Sequence, residues 1–378
     1  MEKDVLNKFD ALLKKFKWFK NFDEINVWEH NDLRKIPVTT RRELAELDIT
    51  KCPENPVYVL NTSGSSGSPT LFFISQRAFE NHIKRVETAS DLNKIPKGSI
   101  VFNLTEDPIV DHFYVRNGYT LVHSGTPSEN TKHVIASKIK KTKPSLVISY
   151  LTIIHDILEL VNEVKIGTVL GVGSMATPKF IDNIVKKSNS KFNMIYGTQE
   201  FGALGSQDYD YPDYYKAIED GLYFEVAKEN GEISTTGRGA LLVTDLENMS
   251  TPFIRYFVGD LVEIMHEAGI KRIKVLGRCD NYMKIQGDID LKEGIVWHMQ
   301  EILGHDVFQV VVDNDKKSLK DFFIIYVPKK DFVYEEKMKR KLRREYGVEV
   351  SIQTLDFTIP KTSSGKRKNI LDKRFMKQ

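Results

Sequence analysis

Residues 61–70 read Asn-Thr-Ser-Gly-Ser-Ser-Gly-Ser-Pro-Thr, a run dominated by small hydroxyl residues and glycine. Its small hydroxyl side chains and the glycines Gly64 and Gly67 favour a tight loop whose N–H and O–H groups surround an anion, usually phosphate. Apolar runs typical of strands, residues 57–60 and 71–74, flank it. A Gly/Ser linker is the alternative. Because the Walker A pattern GxxxxGK[ST] is absent here, we expect a phosphate or nucleotide site of another type.

The composition indicates a folded chain that is long enough for two domains. Of the 378 residues, 41% are hydrophobic and 10% are aromatic, which supplies a sizeable core and excludes a globally disordered chain. The 55 basic and 52 acidic residues leave a net charge of +3, so charge gives no reason to expect a nucleic-acid partner. Cys52 and Cys279 lie far apart without metal or redox spacing, which favours a reducing compartment.

The sequence shows no signal for a membrane partner. The first residues lack the basic and apolar pattern of a secretory signal, and no apolar stretch approaches the roughly 18 residues that span a bilayer. Residues 3–21 repeat apolar positions at helical spacing between lysines, as a membrane-surface helix would. Acidic residues dilute that charge, which favours a helix packed on the main domain. We therefore expect a cytoplasmic protein with no membrane or nucleic-acid partner.

The alternation of short apolar runs with helix-like segments between residues 57 and 254 predicts a large N-terminal α/β domain with parallel sheets. Within it, residues 221–276 consist of short strands and turns, which predicts a β-rich subdomain. The predicted strands and helices of the α/β part are strands 101–104, 146–149, 168–171 and 194–196, and helices 79–89, 131–140, 152–164 and 178–188.

The composition changes after Gly277. Two apolar runs, residues 307–313 and 322–327, and a basic helical pattern over residues 334–346 predict a small C-terminal α+β domain. We place the boundary after residue 279, which gives an N-terminal core domain of residues 1–279 and a C-terminal domain of residues 280–378.

Four further segments carry side chains suited to binding or catalysis. Residues 196–202 follow a strand and place Glu200 at its end, where α/β sheets bind their ligands. The other three segments are 255–260, with Asp260 after a turn glycine; 277–287, with Arg278, Asp280 and Lys284; and 360–368, a basic loop with Lys366.

Each of these segments has an ordinary structural alternative. Glu200 is then a helix N-terminal acid and Asp260 a turn residue. Arg278 and Asp280 are then a surface ion pair, and Lys366 is one charge of a solvated tail. The alternatives are weaker for the whole series, because four such segments occur together in one order along the chain.

In this order the segments resemble the adenylate-forming superfamily of acyl-CoA synthetases and adenylation domains, and within it the phenylacetate–CoA ligase-like and capsule-associated branch. Residues 62–70 are similar to its Ser/Thr/Gly-rich phosphate loop, and 196–200 to its YGxTE motif. Residues 255–260 are similar to Y-x-x-GD, 277–287 to GRxDxxxKxxG, and 360–366 to the loop of the catalytic lysine. Thr70 lies at a position where many relatives have lysine. The phenylacetate branch tends to have threonine there, as this chain does.

The resemblance implies that ATP activates a carboxylic acid as an acyl-AMP with release of pyrophosphate, and that a thiol then takes the acyl group. It implies ATP and Mg²⁺ as cofactors and admits CoA. The implied partners are a small-molecule carboxylic acid and either CoA or a phosphopantetheinyl carrier protein, and a homodimer is compatible with the branch. Transfer to a protein cysteine or to an amine remains an alternative second step.

The resemblance also assigns the candidate site residues. Lys366 would contact the α-phosphate and the substrate carboxylate, Glu200 would bind Mg²⁺, and Asp260 would accept hydrogen bonds from the ribose. Asp280 would be the hinge of the C-terminal domain. The remaining candidates are Thr62, Ser63, Gly64, Ser65, Ser66 and Gly67 for the β- and γ-phosphates; Gly171, Gly173, Ser174, Tyr196, Gly197, Thr198, Arg278 and Lys284 around the nucleotide; and His112, Phe113, Val172 and Phe201 for a substrate pocket that suits a small aryl or short-chain acid.

Two other classes of protein compete with this interpretation. Residues 171–176 imitate the dinucleotide-binding pattern GxGxxA after a strand, but the acidic residue expected about 20 positions later is missing, which disfavours a nicotinamide enzyme. A non-catalytic nucleotide-binding interaction protein is the second alternative, and the basic helix at 334–346 is its best support. Preferential stabilisation by NAD⁺ or by ATP with Mg²⁺ distinguishes the first alternative from the adenylate-forming interpretation.

Overall fold

The computed structural model describes residues 3–20, 22–25, 35–62, 70–90, 95–161, 163–286, 288–315, 318, 320–362 and 366–374. The phosphate-loop candidates Ser63, Gly64, Ser65, Ser66 and Gly67 lie outside these ranges, so their role stays a prediction. No helix within the described ranges is both long and apolar enough to cross a lipid bilayer.

The α-helices, numbered in chain order, are α1 (Lys3–Lys15), α2 (Arg41–Ala45), α3 (Gln76–Ser90), α4 (Pro108–Arg116), α5 (Lys132–Thr142), α6 (Leu151–Glu159), α7 (Pro178–Ser188), α8 (Lys292–Leu303) and α9 (Glu335–Tyr346). Short 3-10 turns lie at Phe22–Glu24, Ile49–Lys51 and Lys329–Tyr334.

The strands are β1 (Tyr58–Thr62), β2 (Thr70–Ile74), β3 (Ile100–Leu104), β4 (Thr120–His123), β5 (Leu146–Tyr150), β6 (Thr168–Val172), β7 (Lys191–Thr198), β8 (Gly202–Gln207), β9 (Tyr215–Ala217), β10 (Leu222–Ala227), β11 (Ile233–Ser234), β12 (Gly237–Asp245), β13 (Tyr256–Glu267), β14 (Ile270–Arg278), β15 (Tyr282–Ile285), β16 (Asp288–Leu291), β17 (Gln309–Asn314), β18 (Asp321–Val327), β19 (Glu349–Thr354) and β20 (Ile370–Asp372).

The first of two compact units, unit 1, comprises Met1–Lys97, Asp107–Gly118 and Met194–Cys279. Its strands pair antiparallel in the order β11-β10-β12-β13-β14-β9-β8-β7, and β1 and β2 form a separate antiparallel pair. Helix α1 buries its apolar face in a core with Tyr223 and Ile254. The N-terminal helix therefore packs on the fold, as its acidic residues predicted.

Unit 2 comprises Gly98–Glu106, Tyr119–Asn193 and Asp280–Gln378. Its strands β6, β5, β3 and β4 pair in that order and run parallel, and helices α5 and α6 connect β4 to β5 and β5 to β6, as the alternating pattern predicted. Its later part forms the hairpin β15–β16 and the mixed sheet β19-β18-β17-β20. Helices α8 and α9 share one apolar core with that sheet.

The predicted fold class is confirmed: an α/β part with parallel strands, a β-rich part and a small C-terminal α+β part are all present. A boundary between units does fall between residues 279 and 280, but unit 2 also includes two earlier segments. The division into domains 1–279 and 280–378 therefore stays a prediction.

The segment around Asp260 differs from the prediction. We predicted a turn at Gly259, whereas both residues lie inside the long strand β13. Gly259 has a φ of +89°, which lets the strand continue through an irregular position beside a break in register at Leu261. The sequence also gave no prediction of α4, although Asp107 caps it and Pro108 occupies its first turn.

Candidate functional site

Asp260 lies in unit 1 between a phenol and a guanidinium. The Tyr196 hydroxyl donates to its Oδ2 at 2.6 Å, and Arg278 Nη1 donates to its Oδ1 at 3.1 Å. The strand register explains the second contact, since Asp260 on β13 is directly opposite Arg278 on β14. A Cβ atom at Gly259 would lie 2.4 Å from Arg278 Nη2, so the glycine leaves room for the guanidinium.

Tyr196 is a neutral hydrogen-bond donor at every physiological pH. Burial and the neighbouring Asp260 carboxylate raise the pKa of the Tyr196 phenol well above its usual range. The sequence predicted that this ring lies near adenine; in the structure it is buried and stands 5.7 Å from the Tyr215 ring. Its contact with adenine stays a prediction, and its hydrogen bond to Asp260 is a role that the sequence did not predict.

Glu200 lies in the tight turn between β7 and β8, at the end of a strand as predicted. The Tyr256 hydroxyl donates to its Oε1 at 3.0 Å. Burial and the Glu200 carboxylate raise the pKa of the Tyr256 phenol far above its usual range, so this donor is neutral as well. Tyr256 was not among the predicted site residues, although it is the tyrosine of the Y-x-x-GD segment.

Glycines at both ends of the turn make its conformation possible. Gly202 has a φ of +67°, and a Cβ atom there would lie 2.0 Å from Nε2 of the buried His82. A Cβ atom at Gly197 would lie 2.4 Å from the Gly202 carbonyl oxygen. Within the turn, the Phe201 N–H donates to Thr198 Oγ1 at 3.4 Å. The turn that presents Glu200 therefore needs a glycine at each end.

The strands on either side of the predicted phosphate loop are in place. Thr62 and Thr70 are paired residues of the antiparallel strands β1 and β2. Thr70 is buried and accepts a hydrogen bond from Arg41 Nε at 3.0 Å. An arginine from α2 thus contacts the position at which many relatives have lysine.

In unit 2, Lys366 lies beside the segment that follows β6. Its Nζ is 5.9 Å from the centre of the Tyr150 ring. A Cβ atom at Gly173, whose φ is +77°, would lie 2.8 Å from Tyr150 Cδ1 and 3.2 Å from Lys366 Cε. Gly171 and Val172 end β6, and Ser174 follows with a buried hydroxyl that has no hydrogen-bond partner among the described residues. The structure thus brings the predicted catalytic lysine next to predicted nucleotide-binding residues.

The remaining candidates have varied surroundings. Lys284 is exposed on β15, and Asp280 is the exposed first residue of the last segment of unit 2. His112 is exposed on α4. Phe113 and Phe201 are fully buried, and Phe201 packs on the rings of Phe253 and Tyr256. Both phenylalanines occupy core positions, so their place in a substrate pocket stays a prediction.

The carboxylates of Asp260 and Glu200 in unit 1 fit the ligands predicted for them, a ribose and Mg²⁺. Each Asp260 oxygen accepts one hydrogen bond from the described residues and has a second lone pair for a ribose hydroxyl. Among the described residues, no group of three or more His, Cys, Asp or Glu side chains is arranged to hold a metal. A lone carboxylate such as Glu200 suits Mg²⁺, which takes one or two protein carboxylates and completes its shell with water and substrate phosphates.

Comparisons with known proteins agree with the motifs. The chain is similar to protein CapK of Staphylococcus aureus, with 22% identity over 376 residues that cover 91% of this chain and 80% of that protein. It superimposes on the crystal structure of a 2-hydroxyisobutyryl-CoA ligase in the postadenylation state with R3-HIB-AMP. The TM-score is 0.79 at 14% identity, over 98% of this chain and 89% of that chain.

The same ligase in complex with 2-HIB-AMP and CoA in the thioesterification state gives a TM-score of 0.63 at 16% identity, over 99% of this chain and 90% of that chain. No protein-family model matches the chain. At these levels of identity the likeness is one of fold. The chain has the fold of the adenylate-forming ligases, as the order of its motifs predicted.

Proposed function

We propose that the protein is an adenylate-forming ligase that uses ATP to activate a carboxylic acid. In the first step a carboxylate oxygen of the acid attacks the α-phosphorus of ATP, and the bond from that phosphorus to the bridging oxygen breaks. The products are an acyl-AMP and pyrophosphate. In the second step a thiol attacks the acyl carbon and AMP leaves. The observation that carries the proposal is Asp260, held by Tyr196 and Arg278 with acceptor capacity left for a ribose.

The chemistry of the first step explains the kinds of residue present. Because the attacking carboxylate and the phosphates repel each other, positive charge is needed where they meet. We assign that charge to Lys366, which stands at the segment after β6. We assign Mg²⁺ binding to Glu200; the ion would neutralise phosphate charge. We assign the triphosphate to Thr62, Ser63, Gly64, Ser65, Ser66 and Gly67 by their resemblance to the phosphate loop.

The proposal also includes a class of acid substrate and a thiol acceptor. Solved structures with this fold include a 2-hydroxyisobutyryl-CoA ligase and an anthranilate CoA ligase, which supports a small acid as the substrate class and CoA as an acceptor. An adenylation domain joined to a carrier protein also shares the fold, which supports a phosphopantetheinyl thiol as the alternative acceptor. A cytoplasmic location, where ATP and CoA are available, belongs to this proposal.

A pyrophosphate-release assay over a panel of aryl, hydroxy, amino and short-chain acids, each with and without CoA, tests the proposal. We expect release that depends on both the acid and ATP, and formation of an acyl-CoA with the preferred acid. Thermal shifts with ATP and Mg²⁺ should exceed those with NAD⁺. Stabilisation by NAD⁺ alone contradicts the proposal, and stabilisation by ATP without release for any acid favours a non-catalytic nucleotide-binding protein.

A further inference from the structure

Lys366 is carried by two short antiparallel arms in unit 2, here called the Lys366 hairpin and defined as residues 360–362 and 366–369. Lys361 and Arg367 face each other on its two arms as an antiparallel pair. The Thr362 N–H donates to the Lys366 carbonyl at 2.8 Å, and the Lys368 N–H donates to the Pro360 carbonyl at 2.8 Å. These bonds define the two arms, and residues 363–365 lie outside the described part of the chain.

Both arms carry a cation that is paired with the buried carboxylate of Asp156. Arg367 donates to Asp156 Oδ1 through Nη2 and to Asp306 Oδ1 through Nη1. Lys361 Nζ donates to Asp156 Oδ2 at 2.8 Å and to Glu129 Oε1 at 2.9 Å. The side chains of Arg367 and Asp156 are each 8% exposed, so solvent screens their interaction little. Asp156 therefore holds both arms of the hairpin at once.

Further hydrogen bonds fix the carboxylates themselves. The Thr152 hydroxyl donates to Asp306 Oδ2 at 2.5 Å. Lys132 Nζ lies 3.3 Å from Asp156 Oδ2 and 2.6 Å from Glu129 Oε2. Three cations thus face three carboxylates, and we call this set the clamp: Lys132, Lys361, Arg367, Glu129, Asp156 and Asp306.

We infer that Asp156 and Asp306 are positioning residues that hold the Lys366 hairpin so that Lys366 stays beside Gly173 and Tyr150. The catalytic consequence of this inference depends on the proposed function, whereas the clamp itself does not. Stability alone gives little reason for such a cluster, because buried ion pairs add little over apolar side chains of the same size. Fixed geometry gives a reason, since a displacement of about 1 Å in a reacting group lowers a rate by about 100-fold.

The test compares Asp156→Asn and Arg367→Met with the matched control Asp182→Asn, which neutralises an exposed carboxylate on α7. Amide hydrogen exchange of the peptide 355–372 reports whether the hairpin is held, and needs no enzymatic activity. Steady-state kinetics of acid-dependent pyrophosphate release report whether Lys366 is placed productively. Lys361→Met, which removes the more exposed of the two arm cations, provides a milder variant if either of the first two fails to fold.

We expect the hairpin to exchange at least tenfold faster in Asp156→Asn and Arg367→Met, and to be unchanged in Asp182→Asn. The kcat should fall by about 10- to 100-fold with KM for ATP within about twofold, as misplacement of one reacting group predicts. The double variant should be no worse than the poorer single variant, because both changes disrupt one network. Arg367→Lys should recover part of the loss.

Two results overturn the inference, and a third removes its catalytic part. Unchanged hydrogen exchange in both clamp variants would show that the carboxylates do not hold the hairpin. Faster exchange with unchanged kcat would show that they hold it without positioning Lys366. If the wild-type protein releases no pyrophosphate with any acid, the proposed function fails and the positioning role with it. Hydrogen exchange in that case still decides whether the clamp exists.

Discussion

Two pairs of carboxylates in this molecule have opposite surroundings. In unit 1, Asp260 and Glu200 each accept a hydrogen bond from a phenol, that of Tyr196 or Tyr256. In unit 2, Asp156 and Asp306 accept hydrogen bonds from Arg367, and Asp156 also from Lys361. The first pair meets mainly neutral donors, and the second meets cations.

This difference in surroundings indicates the role that each pair can have. A neutral phenol orients a carboxylate and leaves its negative charge in place for a ligand. Arg278 is the one cation hydrogen-bonded to the first pair in the described structure, and its side chain is 43% exposed, so solvent weakens its effect. The clamp neutralises its own carboxylates with cations that are mostly buried. We conclude that the unit 1 carboxylates suit binding and that those of unit 2 suit positioning.

Removing the cation that the clamp holds in place should have the largest effect. Lys366→Ala should leave MgATP binding nearly intact and slow adenylation by about 10²–10³, the loss typical of one preorganised donor of positive charge. Carboxylate-dependent exchange of labelled pyrophosphate into ATP measures this step. Lys368→Ala, which removes an exposed lysine two residues away, is the control. Equal exchange rates in the two variants would remove Lys366 from the chemistry.

Breaking the clamp should lower stability in a pH-dependent way. Burial would raise the pKa of Asp156, but His155, Arg367 and Lys361 hold it well below its usual range. Because the folded-state pKa lies below the unfolded one, the clamp stabilises fully above about pH 5 and loses this effect as the pH falls further. Asp156→Asn should therefore lower the unfolding free energy by about 3 kcal/mol at pH 7, and the deficit should shrink below about pH 4.

Thermal unfolding of wild type and Asp156→Asn at pH 7 and at pH 3 measures this difference. A gap in midpoint temperature that is the same at both pH values would show that Asp156 stabilises the protein by packing and not by charge.

Adding a methyl group next to Lys366, at Gly173, should have a smaller effect. Gly173→Ala places a Cβ atom against Tyr150 and Lys366 at a residue with a φ of +77°. The new Cβ atom would displace the Lys366 side chain, and a loss of about 1–2 kcal/mol of transition-state stabilisation slows adenylation by about tenfold. Gly98→Ala is a matched control in the same unit, because its φ is +80° and its Cβ atom would meet nothing within 4 Å. A similar loss in both variants would assign the effect to backbone strain alone.

The smallest effect should come from Glu200, the carboxylate proposed to bind Mg²⁺. Glu200→Gln keeps the shape of the side chain and removes its charge, so the Mg²⁺ concentration for half-maximal activity should rise several-fold. Titration of pyrophosphate release with MgCl₂ at fixed ATP measures it, with Glu229→Gln, an exposed change of the same kind, as the control. A wild-type Mg²⁺ profile in Glu200→Gln would exclude Glu200 as a ligand.

Short-range signals let the sequence predict much of the fold. The helix predicted at 178–188 has those bounds in the structure, because Thr177 accepts a hydrogen bond from the Phe180 N–H and Pro178 suits the first turn. Strands β3, β5 and β6 of unit 2 were predicted from apolar runs to within one residue of their bounds, whereas β4 was not predicted. Strand β13 was not predicted, because the glycine and the acid in its middle are typical of a turn. Only their pairing with β14 makes them strand residues.

The residues of the candidate site fall into the same two groups: some lie in short-range sequence patterns, and others are brought together only by the fold. Glu200, Asp260 and Lys366 lie in short segments whose order along the chain identifies them as candidates. The clamp could not be predicted, because Asp156 and Arg367 are 211 residues apart and neither lies in a pattern that pairs them. The burial of Phe201 could not be predicted either, since its aromatic neighbours Phe253 and Tyr256 come from a distant part of the sequence.

The MgATP dissociation constant of two variants, Asp260→Asn and Asp156→Asn, tests whether the unit 1 carboxylates act in binding and those of unit 2 in positioning. Each variant replaces one carboxylate by an amide of the same shape. Loss of a hydrogen bond to a charged group is worth about 1.5–3 kcal/mol, so Asp260→Asn should weaken binding by about 10- to 100-fold. Asp156→Asn should bind MgATP within about twofold of wild type. Wild-type affinity in Asp260→Asn together with weakened affinity in Asp156→Asn would contradict the account.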